Sequence, residues 1–144
     1  MPLYAESSAV LRWLFNDDHG DEVFGLLRAA DKVTCSRLTV IECRRVIHRA
    51  VATARLSEKD AAELRGVLAQ AAARWAILEV TVDVARRAEE RFPAEPLRTL
   101  DALHLASAIL LGESAAGLTV LSTDDRIRSN ATQLGFPVVP EMTT

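Results

Sequence analysis

Apolar residues fall along this chain in short runs that alternate with longer stretches patterned at helical spacing. Leu3-Tyr4-Ala5 reads as the middle of a buried strand over 1–6, and Val10, Leu11, Leu14 and Phe15 then mark one face of a helix capped by Ser7 and Ser8. After the polar turn Asn16-Asp17-Asp18-His19-Gly20, a helix is predicted over 22–30 and a strand over 32–36, built on Val33, Thr34 and Cys35. A long helix over 38–54 and an alanine- and leucine-rich one from a Ser57 cap to Trp75 form a predicted helical hairpin. The second half repeats the alternation: strand 77–81, helix 83–92 stopped by Pro93 and Pro96, and an apolar helix from a Thr99 cap to Leu111. Strand 118–122, helix 125–134 ended at Gly135, and strand 136–139 halted by Pro140 complete it.

Strands that alternate with helices and are too uniformly apolar for a half-wet antiparallel sheet imply an α/β fold with a short, mainly parallel sheet between helical layers. With 144 residues, 49% of them hydrophobic, the expectation is a single domain over 1–144 with an adequate core. No apolar run approaches the roughly twenty residues that span a bilayer, and no basic-then-apolar signal segment opens the chain, so a cytoplasmic, non-membrane protein is expected. Cys35 and Cys43 stand eight apart, which suggests neither a zinc site nor a disulfide framework and predicts buried thiols. The formal charge of −3 excludes a generally basic nucleic-acid coat but not a local cationic strip.

Four acids occupy the junctions of this pattern. Glu6 and Asp124 follow predicted strands directly, while Glu42 and Asp101 stand in the first turns of predicted helices. Ligands of parallel α/β domains collect at the carboxyl ends of the strands, so acids at those ends can converge although remote in sequence. Converging carboxylates call for a cation, and their hard oxygens favour Mg²⁺ or Mn²⁺. Against this, an acid in a first helical turn is favoured by the macrodipole alone, by about 0.3–1 kcal/mol.

The flanks of these acids carry more information. Leu3-Tyr4-Ala5-Glu6-Ser7-Ser8-Ala9-Val10 resembles the opening strand and acidic turn of PIN-domain ribonucleases, and Ser36-Arg37-Leu38-Thr39-Val40-Ile41-Glu42 resembles their second acidic motif. Leu100-Asp101-Ala102-Leu103-His104-Leu105-Ala106 and Val120-Leu121-Ser122-Thr123-Asp124-Asp125-Arg126 are similar to two further motifs, and the order and total length match VapC-type toxins. The resemblance implies a three-layer α/β/α PIN-like domain that cleaves RNA phosphodiester bonds with Mg²⁺, or Mn²⁺. It implies catalytic roles for Glu6, Glu42, Asp101 and Asp124, with metal held by Glu6, Asp101 and Asp124. It also implies a homodimer and a small VapB-like antitoxin partner. Glu6 departs from the aspartate usual there, so a catalytically impaired module that binds RNA or antitoxin is the alternative reading. A phosphatase-like α/β protein is a third, poorly served by glutamate in the place of an aspartate nucleophile.

Neighbouring residues have two readings each. Ser8 and Ser122 can hydrogen-bond a carboxylate or a metal-bound water; Ser8 can equally cap the first helix and Ser122 merely pack in its strand. A one-residue slip would present Asp125 in place of Asp124. His104 shares a helix face with Asp101, either as a hydrogen-bonded boundary histidine or near the substrate. Arg45 and Arg49 line up with Glu42 on one helical stripe as candidate RNA-phosphate contacts, extended by Arg12, Arg37, Arg126 and Arg128; solvated ion pairing is the plain alternative. Trp13 and Trp75 fit apolar stripes and are expected to pack.

Overall fold

The computed structural model describes residues 1–142. In chain order the elements are β1 (Pro2–Ala5), α1 (Ser7–Leu14), α2 (Gly20–Ala29), β2 (Lys32–Ser36), α3 (Arg37–Ala52), α4 (Glu58–Ala72) and β3 (Ala76–Leu78). They continue with α5 (Val82–Ala88), α6 (Thr99–Gly112), β4 (Thr119–Leu121), α7 (Asp125–Gln133) and β5 (Val138–Val139). The strands form one sheet in the order β3-β2-β1-β4-β5, and every pairing is parallel. The fold is the α/β arrangement expected from the sequence.

Side chains of a strand alternate between sheet faces, and β1 divides its residues accordingly. Leu3 and Ala5 join Val10, Leu14, Val23, Cys35, Cys43 and Leu68 in one core. Tyr4 joins Val84, Leu105, Ala106, Val120 and Ile127 in the other. Two apolar layers therefore clamp the central strand, which is why it reads as an unbroken apolar run. Both cysteines are buried and free, as expected. Among the described residues no helix is long and apolar enough to cross a membrane.

Parallel strands deliver their carboxyl ends to one rim, and the register fixes which residues meet there. Tyr4 pairs with Val120 and Ala5 with Leu121, so Glu6 and Ser122 are the next positions out on adjacent strands, and the Glu6 N–H still donates to the Leu121 carbonyl at 3.0 Å. The Thr39 hydroxyl donates to the Ala5 carbonyl at 3.0 Å, pinning the first turn of α3 over β1 and bringing Glu42 to the same rim.

Two cap assignments differ from the sequence reading. The N-cap of α1 is Glu6, whose carboxylate accepts from the Ser8 N–H; Ser7 and Ser8 are already helical. The N-cap of α6 is Arg98, and Thr99 is the first helical residue. In both places a carboxylate satisfies the exposed amides, at Glu6 from the cap position and at Asp101 from three residues inside. The segment before α6 is fastened from behind. Buried Asn130 of α7 accepts from the Ala94 N–H at 2.8 Å and donates to the Ala94 carbonyl at 3.0 Å, while the Glu95 carboxylate accepts from the Phe92 and Leu97 amides.

Glycine is required where α1 meets α2. A Cβ at Gly20 would lie 2.6 Å from the Arg12 carbonyl oxygen, so only a residue without one lets the two helices approach this closely.

Candidate active site

Glu6, Glu42, Asp101 and Asp124 line one cavity of about 340 Å³, together with Ser7, Ser8, Leu11, Arg98, Thr99, Leu100 and His104. Asp125 is exposed at the first position of α7, whereas Asp124 caps that helix and lines the cavity.

Glu6 is buried, and neighbouring donors use both its oxygens. Oε1 accepts from the hydroxyls of Ser8 and Ser122, the latter at 2.6 Å, and Oε2 accepts from the Ser7 hydroxyl at 2.8 Å and the Ser8 amide at 3.1 Å. A carboxylate taken from water needs such donors to remain satisfied. The hydroxyls are shared in turn. Ser8 Oγ accepts from the Thr123 N–H at 2.9 Å and Ser122 Oγ from the Asp124 N–H at 3.1 Å, while Ser7 Oγ lies 3.1 Å from Glu42 Oε1.

Glu42 is held from the opposite side. His104, fully buried in α6, places Nε2 2.6 Å from Glu42 Oε1, and its Nδ1 lies 2.8 Å from the Tyr4 hydroxyl. Burial, reinforced by the nearby Glu6 charge, pushes the Tyr4 phenol well above its ordinary pKa, so the hydroxyl keeps its proton and can donate to Nδ1. That leaves Nε2 as the donor to Glu42. This chain of contacts joins β1, α6 and α3 through three residues.

Asp101 and Asp124 share a cation. Arg98 meets Asp101 side-on, with Nε 3.0 Å from Oδ2 and a terminal nitrogen 3.2 Å from Oδ1, and the same nitrogen lies 3.4 Å from Asp124 Oδ2. The Arg98 N–H also donates to Asp101 Oδ2 at 3.3 Å. Hydrogen bonding and charge from Asp101 hold the Arg98 guanidinium above its ordinary pKa, with Asp124 and Glu42 adding to the effect. Asp124 spends its other oxygen, Oδ1, on the amides of Arg126 and Ile127.

The remaining arginines divide differently. Arg45 and Arg49 are exposed on α3, outside the cavity lining. Arg37 turns away to Glu79, 2.6 Å at its shortest contact, and Arg128 donates to the Ser122 carbonyl at 2.8 Å from a half-buried position that lowers its pKa. Trp13 stacks on Phe24 at 5.5 Å between ring centres, and with Trp75 it lines a separate groove of about 940 Å³.

Arg98, Ser7 and Tyr4 are not among the site residues expected from sequence, where Ser7 figures only as a helix cap. Tyr4 carried a readable signal, since a tyrosine in an otherwise apolar buried strand requires a partner for its hydroxyl.

A parallel sheet whose strand ends gather four carboxylates into one cavity is the arrangement of a PIN domain, and the PIN domain family model matches residues 3–132; the chain belongs to that family. Its curated relatives include ribonuclease VapC45 of Mycobacterium tuberculosis (strain CDC 1551 / Oshkosh), 30% identical over 141 residues covering 97% of this chain and 96% of the relative. Ribonuclease VapC46 of M. tuberculosis (strain ATCC 25618 / H37Rv) is 31% identical over 137 residues, 95% of each chain. Among solved structures, M. tuberculosis VapC20, described as a sarcin-ricin loop cleaving toxin, superposes with a TM-score of 0.67 at 15% identity, covering 96% of this chain and 99% of that one. A toxin–antitoxin complex from Klebsiella pneumoniae gives 0.61 at 19% identity, with 97% of both chains covered.

The donor chemistry fits a hard divalent cation, because the candidate ligands lining the cavity are carboxylate oxygens flanked by hydroxyls. A guanidinium lying across Asp101 and Asp124 shows that positive charge is accommodated there. In the present arrangement no three His, Cys, Asp or Glu side chains among the described residues are gathered tightly enough to share one ion. In this arrangement Arg98 engages the outer pair and the serines engage Glu6.

Proposed function

We propose that this chain is a metal-dependent endoribonuclease, the toxin of a toxin–antitoxin pair. The observation that carries the reading is the convergence of Glu6, Glu42, Asp101 and Asp124 on one cavity, in a PIN domain whose curated relatives are named ribonucleases. Bound Mg²⁺ or Mn²⁺ would polarise the scissile phosphate and lower the pKa of an attacking water. In this proposal Asp101 and Asp124, at the mouth, hold the ion together with Glu42, which takes the place the sequence expectation gave to Glu6. Glu6, with both oxygens engaged by serine donors, serves as a fixed negative charge beneath them.

Glu42 is best placed to move a proton. His104 and Ser7 engage its Oε1, whereas Oε2 makes no hydrogen bond among the described residues and can accept from a water in the cavity. Arg45 and Arg49 remain the proposed RNA-phosphate contacts, supported by their exposure on the helix that carries Glu42. The antitoxin partner is supported by the similarity to a toxin–antitoxin complex, and the groove beside Trp13, Phe24 and Trp75, rimmed by Arg28, Lys32 and Arg74, is a candidate surface for it. The homodimer and the cytoplasmic location belong to the same proposal; light scattering of the purified chain checks the first.

Incubating the protein with total cellular RNA and Mn²⁺, beside an Asp101→Asn control, tests the activity. Cleavage that needs the metal and disappears in the control is the expected result. A second reading, a module that binds RNA without turnover, draws on the enclosed Glu6 carboxylate. Intact RNA binding with no cleavage by the wild-type protein would favour it.

A further inference from the structure

Of the residues lining the acidic cavity, Arg98 alone carries a permanent positive charge. Its position is unusual for so exposed a group. The side chain is 63% accessible, yet it folds back over the first turn of α6 and spans Asp101 and Asp124, one of them almost fully buried. Two carboxylates from α6 and the β4–α7 junction share this group, and a planar guanidinium reaches both at once. Because the head group is already in water, it can leave without exposing any core surface. Side-on contact with Asp101 engages both carboxylate oxygens and sets a positive charge beside them, so a guanidinium and a metal ion oppose each other there.

We propose that Arg98 is a built-in, displaceable counter-ion that competes with the divalent metal for Asp101 and Asp124. The inference rests on the reading above that these two residues hold the ion. Metal then binds only the fraction of molecules in which Arg98 has swung away, and the apparent affinity is lowered by that fraction. In the metal-free protein the same arginine keeps the mouth from being an uncompensated pair of like charges.

The test is Mn²⁺ binding, read from the electron paramagnetic resonance signal of free Mn²⁺, for the wild type, Arg98→Gln, Arg98→Lys and Asp101→Asn. Arg98→Gln is expected to bind tighter by about fivefold or more, the low end of ordinary coupling between competing events. Arg98→Lys, which keeps the charge but loses the side-on fit, should fall between it and the wild type. Melting temperature supplies the second readout: Arg98→Gln should melt lower than wild type in chelator and gain more from added Mn²⁺.

Equal or weaker Mn²⁺ binding by a folded Arg98→Gln, with wild type binding normally and Asp101→Asn impaired, overturns the counter-ion while leaving the metal site intact. If neither wild type nor Arg98→Gln binds Mn²⁺, the metal reading falls and the counter-ion with it. Binding by Arg98→Gln where wild type shows none supports the competition in its strongest form.

Discussion

The inner and outer halves of the cavity keep their carboxylates by opposite means. Inside, Glu6 is wrapped by three serine hydroxyls and one amide, and Glu42 is tied to His104 and through it to Tyr4. These donors belong to packed elements and cannot leave without opening the core. Outside, Asp101 and Asp124 also accept backbone amides, but they share one solvent-exposed arginine as their counter-charge. Neutral donors fix negative charge where the scaffold must be rigid, and a removable cation balances it where a ligand must enter.

The comparison breaks most directly at its two ends. Glu6→Ala removes the α1 cap and strands buried hydroxyls, so it should cost about 3 kcal/mol of stability by urea unfolding. Asp101→Asn keeps the shape of a buried side chain and leaves its partner Arg98 in water, so it should cost only about 1 kcal/mol, while RNA cleavage falls on the order of 10³-fold. If the two variants lost stability equally, the contrast between an enclosed Glu6 and a replaceable outer counter-charge would be wrong.

His104→Ala probes the inner tether. It leaves a cavity and an unpaired Tyr4 hydroxyl, for an expected loss of about 2–3 kcal/mol, and it frees Glu42 as well. His104→Gln can return one amide donor to Glu42; recovery of cleavage beyond any recovery of stability marks the histidine as a positioning residue. A smaller effect follows from Ser122→Ala, which takes one donor from Glu6 and the acceptor from the Asp124 amide. Metal affinity should drop roughly 10-fold, the low end for a partner that orients a ligand, and an unchanged Mn²⁺ titration would argue against any link between the two halves.

The cysteines give the mildest reading. Burial pushes the Cys35 thiol up to about 12 and raises Cys43 further, with Glu42 and Glu6 contributing at Cys43. Unfolded thiols ionise near pH 8.5, so these groups favour the folded state fully below about pH 8.5 and lose that contribution as pH rises toward about 12. Native protein should therefore resist iodoacetamide at pH 8 and react at once in urea, and unfolding free energy should fall between pH 9 and pH 11. Rapid labelling of the folded chain would show that the inner layer opens more readily than its contacts imply.

Much of this arrangement was readable in advance because parallel strands send their ends to one rim. Placing Glu6 after one strand and Asp124 after another, with acids one turn into two helices, was enough to predict a shared neighbourhood. The partners of those acids were harder to see. Tyr4 and His104 lie 100 residues apart, and their meeting depends on how α6 is rotated against the sheet. The sequence of α6 hides that rotation, since Leu, Ala and Ile recur on nearly every side of Leu100-Asp101-Ala102-Leu103-His104-Leu105-Ala106-Ser107-Ala108-Ile109. Arg98 is masked in the sequence by Thr99, the better cap by residue type. An acid already placed three residues inside made a hydroxyl cap unnecessary.

Asn130 exchanges two hydrogen bonds with Ala94 from the back of α7, four residues upstream of the arginine that spans the mouth. That amide stitch works as a remote hinge pin for the entrance. An aspartate of equal size would turn its donor into a second acceptor against the Ala94 carbonyl and loosen the doorway from behind. The setting of the acids therefore depends on a side chain that hydrogen-bonds to none of them.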